Sequence, residues 1–83
     1  MAKSNSQSAA NYCVGAKQTK LAIENGEAVQ VFIASDADVK LTEPIAERCR
    51  ERGIPLVSVV SMRELGRTCG IQVGASAAAM IRE

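Results

Sequence analysis

Three short stretches carry residues whose types and spacing could do chemistry. The first is Gly15-Ala16-Lys17-Gln18-Thr19-Lys20, GAKQTK, a glycine followed by a polar helix start. A helix N-terminus presents amide N–H groups without intrahelical partners and a partial positive charge, which suit a phosphate or an electron-rich base edge. Lysine can donate to O6 and N7 of guanine, and glutamine can pair with adenine at two points. The stretch lacks the second Gly-Lys of a nucleotide-binding loop and does not match a dinucleotide fingerprint. Its plainer alternative is a solvated helix start.

The second stretch is Ser35-Asp36-Ala37-Asp38. D-x-D carboxylates can hold magnesium, but no further carboxylates follow at ligand spacing, and acidic loops commonly serve solubility. No metal site is predicted. The third is Gly70-Ile71-Gln72-Val73-Gly74, which is either a helix-to-strand turn or an apolar ledge against which an extruded base can lie. Cys13, Cys49 and Cys69 are far apart, form no C-x-x-C pair and have no histidine to join them, so they predict reduced core thiols. The absence of histidine also removes the usual general base near neutral pH. Neither a catalytic residue nor a cofactor is predicted.

These stretches need elements to position them. Residues 1–10 are polar and alanine-rich with weak helix potential, and Tyr12-Cys13-Val14 reads as a short strand. Gly15 breaks it, and residues 16–25 read as a helix closed by Asn25-Gly26. At 100° per residue Ala16, Thr19, Ala22 and Ile23 share its core face, whereas Leu21 falls among the polar residues. Residues 28–34 form a buried central strand, and the polar loop 35–38 ends it. Thr42 is expected to cap a helix over 43–52 with Pro44 in its first turn, and Gly53 to stop it. Ile54 to Val60 reads as the next strand. Ser61-Met62-Arg63-Glu64 is a capping box for a short helix that ends at Gly70. Alternation of Val73, Ala75, Ala77, Ala79 and Ile81 favours a last strand over 73–81, against the helix propensity of its alanines. Alternating helices and strands imply one α/β sandwich domain, with helices on both faces of a small, mainly parallel or mixed sheet. Sites in such sheets gather in the loops at one end.

Charge is divided along the chain. Residues 1–23 carry +3, residues 24–47 carry −5 and residues 48–83 carry +3. A modest basic surface forms if the flanking segments meet in space. MAKSNSQSAANY has no hydrophobic block after its lysine and no apolar run approaches a membrane span, so a cytoplasmic location is expected. Tyr12 and Phe32 are too few for the aromatic stacking sheets of common single-strand RNA binders.

GAKQTK after a short strand, VFIASDAD and the run GIPLVSVVSMRELGRTCGIQVGASAAAMI, in that order, resemble the kink-turn RNA-binding ribosomal protein superfamily, and most of all its bacterial YbxF-like, ribosome-associated branch. The resemblance covers about residues 10–82. It implies a three-layer α/β/α sandwich with a four-stranded mixed sheet and a non-enzymatic role on structured RNA, such as ribosomal RNA or a riboswitch, as a monomer. The RNA is a kink-turn, a bent duplex with tandem sheared G·A pairs and an extruded nucleotide. By resemblance, Gly15 allows close backbone approach and Lys17 and Gln18 address the G·A pairs. Asp38 then lies near the extruded nucleotide, beside Ile71, Gln72 and Val73. Lys20, Arg63 and Arg67 complete the expected contact set, the arginines by phosphate attraction. The chain departs from the pattern where Lys20-Leu21 reverses the usual apolar-lysine order, where Val39 replaces a proline and where Met62 replaces a lysine. These departures imply weaker recognition of the G·A pairs. The alternative to RNA is a protein–protein module on the same sandwich.

Overall fold

In the computed structural model, which describes residues 11–82, strands and helices alternate. The order is β1 (Tyr12–Val14), α1 (Ala16–Glu24), β2 (Ala28–Ala34), α2 (Val39–Arg52), β3 (Leu56–Val59), α3 (Met62–Cys69) and β4 (Ala77–Ile81). The helix potential of residues 1–10 lies outside the described residues.

The strands form one mixed sheet in the order β1-β4-β2-β3. β2 and β3 are parallel, whereas β4 runs antiparallel to both β1 and β2. One face of the sheet packs with α1 and α2, where Ile23, Val31, Ile45, Cys49, Ala77 and Ala79 form a buried cluster. On the other face Phe32, Leu65, Cys69 and Ala78 form a second cluster under α3. The result is the expected three-layer α/β/α sandwich.

β4 explains how so short a chain closes two cores. Ala77, Ala78 and Ala79 are completely buried, so each side chain fills a narrow space between the sheet and a helix layer. Adjacent strand residues point to opposite faces, which sends Ala78 to one core and its neighbours to the other. Larger residues there would overpack the layers, at a typical cost of about 1–3 kcal/mol.

Besides β3, which spans Leu56–Val59 and not the expected 54–60, two boundaries differ from expectation. α2 begins at Val39, four residues before the predicted start, because Asp38 and not Thr42 caps it. The Asp38 carboxylate accepts from Lys40 N at 3.0 Å, while Thr42 is buried within the helix and unavailable as a cap. Pro44 consequently lies inside the helix, where its ring denies the Lys40 carbonyl its usual partner. β4 is shorter than 73–81 because Val73 to Ala75 turn along α3: Ala75 N bonds to the Met62 carbonyl, beside the α3 start. Among the described residues no helix is long and apolar enough to cross a membrane.

Candidate nucleic-acid interface

Backbone hydrogen bonds gather the predicted site at one end of the sheet. Gly15 N donates to the Ala77 carbonyl at 2.8 Å, joining the exit of β1 to the entry of β4. Ala34 N reaches the Ser76 carbonyl at 3.0 Å and Ser35 N the Val59 carbonyl at 2.8 Å, adding the exits of β2 and β3. All three helices therefore start at this end.

The α1 start is built on Gly15, whose φ of 108° and ψ of 151° disfavour a residue with a side chain. Beneath it, buried Thr19 donates both its amide (2.9 Å) and its hydroxyl (2.7 Å) to the Gly15 carbonyl. No side chain caps this helix. The amides of Ala16, Lys17 and Gln18 precede the first intrahelical bond, and the Lys17 and Gln18 side chains stand exposed beside them. Such an edge can donate to phosphate or base acceptors.

The other two starts are closed. Asp38 caps α2, and Ser61 Oγ accepts from Glu64 N at 3.1 Å to cap α3. The Glu64 carboxylate lies 3.9 Å from Arg67 Nη1. Asp36, the other acid of the D-x-D pair, accepts from Met62 N at 2.8 Å and fastens the 35–38 loop to α3. Both carboxylates thus serve backbone amides, and no group of three metal-ligating side chains gathers among the described residues.

The 70–76 segment folds back along α3. A Cβ on buried Gly66 would overlap the Val73 carbonyl oxygen, and one on Gly74 would meet Met62 Cβ at 3.2 Å. This close packing carries Val73 toward the α3 start with its side chain 70 % exposed. Gln72 is also exposed, whereas Ile71 is half-buried against the core beneath α3. Val39 and Val60 are likewise exposed, Val60 by 80 %. Sequence reasoning missed Val60 as a surface residue; its signal was an apolar residue directly before a helix cap.

Gly15, Lys17, Gln18, Asp38, Arg63 and Val73 share this end. Lys20 lies a turn further along α1, and Arg67 lies on the exposed side of α3. The basic segments do meet, since Arg52 Nη1 donates to the Ile23 carbonyl at 3.4 Å. The α1 lysines and the α3 arginines nevertheless stay on opposite faces of the sheet, because α1 and α3 cover opposite faces. The thiols stay free, with Cys49 and Cys69 buried and Cys13 half-buried. Burial pushes all three above the ordinary thiol value, and the Glu27 charge adds to the rise at Cys13. They are held as thiols at neutral pH, unsuited to nucleophilic chemistry.

Comparison with known proteins agrees with this fold. The family described as ribosomal protein L7Ae/L30e/S12e/Gadd45 matches residues 2–83. The chain is 52% identical over 66 residues to RNA-binding protein TTE2299 of Caldanaerobacter subterraneus subsp. tengcongensis, covering 80% of each chain. It is 44% identical over 69 residues to RNA-binding protein YbxF of Geobacillus stearothermophilus, covering 83% of this chain and 84% of that one. Among solved structures, the Giardia lamblia 15.5kD RNA binding protein superposes with a TM-score of 0.82 at 28% identity. That match covers 88% of this chain and 62% of the Giardia chain, so this protein spans less than two thirds of that neighbour.

Proposed function

The chain belongs to the ribosomal protein L7Ae/L30e/S12e/Gadd45 family, and from that membership we propose that it is an RNA-binding protein that recognises kink-turn RNA. The observation that carries this reading is the uncapped α1 start, where Gly15, Lys17 and Gln18 present donors at the gathered end of the sheet. Sheared G·A pairs expose base-edge acceptors, and the kink opens a groove that is too narrow in regular A-form RNA. Lys17 and Gln18 address those edges, and Gly15 lets the backbone come close. The extruded nucleotide lies against the 71–73 segment, with Val73 as its apolar support. One Asp38 oxygen accepts from Lys40 N, and the loop that carries it lies near the extruded nucleotide. Lys20, Arg63 and Arg67 attract phosphates.

The role is binding, not catalysis. The protein acts as a monomer in the cytoplasm, on structured RNA such as a ribosomal or riboswitch kink-turn. A gel shift with a kink-turn RNA and a copy whose G·A pairs are replaced by Watson–Crick pairs tests this. Preferential retardation of the kinked RNA is expected. Equal binding to both, or none at micromolar protein, would overturn it and favour a protein-interaction module.

A further inference from the structure

Beside the α1 tip lies a groove of about 500 Å³ between α1 and the first turn of α2. Ala16, Leu21 and Leu41 line it together with Lys17, Lys20 and Lys40. Leu21 and Leu41 are 46% and 47% exposed, so an aliphatic strip lies open between the cations. The single carboxylate lining it, Glu24, is held by Arg48 at 3.1 Å. None of the ion pairs among the described residues involves the three lysines. The groove therefore carries an uncompensated cluster of three positive charges beside apolar side chains.

We infer that this groove holds a single-stranded RNA segment flanking the kinked motif, with Lys20 and Lys40 on successive phosphates and the leucines against the sugar and base faces. The inference rests on the RNA reading above and extends it to residues outside the tip. Charge complementarity favours a polyanion: flexible ammonium groups suit phosphates as point charges, without the fixed geometry that base reading needs. Continuity favours RNA over an acidic peptide, because Ala16 and Lys17 belong to both the groove and the tip. A strand leaving the tip enters the groove directly. The reversal of Lys20 and Leu21 then bears on the groove, because both residues line it with Lys40 and Leu41.

The test measures affinity against salt for a kink-turn hairpin carrying a single-stranded tail next to the motif, and for its Watson–Crick copy. The full chain, Lys20→Gln/Lys40→Gln and Arg50→Gln/Arg82→Gln are compared, with circular dichroism to verify that each is folded. At about 0.7 per phosphate on a single strand, loss of both groove lysines should flatten the slope by about 1.4 on the tailed hairpin, and by less than half of that on the same hairpin without its tail. The arginine pair, outside the groove, should change it by less than half as much. A kink-selective protein whose slope is unmoved by Lys20→Gln/Lys40→Gln overturns the groove assignment alone and leaves the groove to an acidic peptide. Loss of selectivity in the unaltered chain overturns the kink-turn reading, and the groove assignment falls with it.

Discussion

The starts of α1 and α3 lie at the same end of the molecule and are built in opposite ways. At α3, Ser61 caps the first turn and Asp36 accepts from Met62 N, so the leading amides are satisfied from within. At α1 a glycine stands in the cap position, and the stabilising hydrogen bonds lie underneath, from Thr19 to the Gly15 carbonyl. A serine or aspartate cap typically adds about 1 kcal/mol over residues that cannot accept. Glycine in the cap position forgoes only a few tenths of a kcal/mol of it, so the α1 start goes without a side-chain cap at small cost. The α3 start thus fastens the loops beside it, whereas the α1 start has no side-chain cap, as the proposed RNA contact requires.

Several substitutions would break or sharpen this contrast. The largest effect is expected from Gly15→Ala. Its new Cβ meets nothing within 4 Å inside the protein, so the cost is backbone strain, about 1–3 kcal/mol, with obstruction of the RNA approach added. Urea unfolding and RNA titration should both register it. Lys17→Ala should weaken binding to the kinked RNA by about 1–3 kcal/mol if the side chain reads a base. Its unfolding free energy should stay within about 0.5 kcal/mol, as for other exposed positions without structural partners. Ser61→Ala should do the reverse, with about 1 kcal/mol of stability lost in urea and the preference for G·A pairs kept. Arg67→Ala should have the smallest effect. It should lower the salt slope by about one on all kinked RNAs and leave selectivity and stability unchanged, because its pair with Glu64 is long and exposed.

Local signals located most of the fold. A nearly continuous apolar, β-branched run marked β2, Gly53 and Gly70 marked the ends of α2 and α3, and the S-x-x-E pattern marked the α3 start. Thr42 misled because its sequence position, just before Glu43-Pro44, imitates a helix entry; only burial against the sheet shows that it lies within α2. Val73 and Ala75 misled by continuing the alternation of β4. Their path is set by contact with α3 at Gly66 and Met62, which no period along the chain records. The stray position of Leu21 was legible from the helical wheel. Its neighbours Lys40 and Leu41 were not, because the groove is made by packing two helices distant in sequence. The components of the tip were readable as GAKQTK, but the lack of a cap became meaningful only beside the capped starts of α2 and α3.

The central claim is that the α1 tip reads the G·A pairs. The most direct measurement is the ratio of affinities for the kink-turn RNA and its Watson–Crick copy, taken for the unaltered chain and for Lys17→Ala/Gln18→Ala at one salt concentration. A clear preference is expected in the unaltered chain, collapsing toward one in the variant, with Watson–Crick binding nearly unchanged. A preference that survives both substitutions would contradict it.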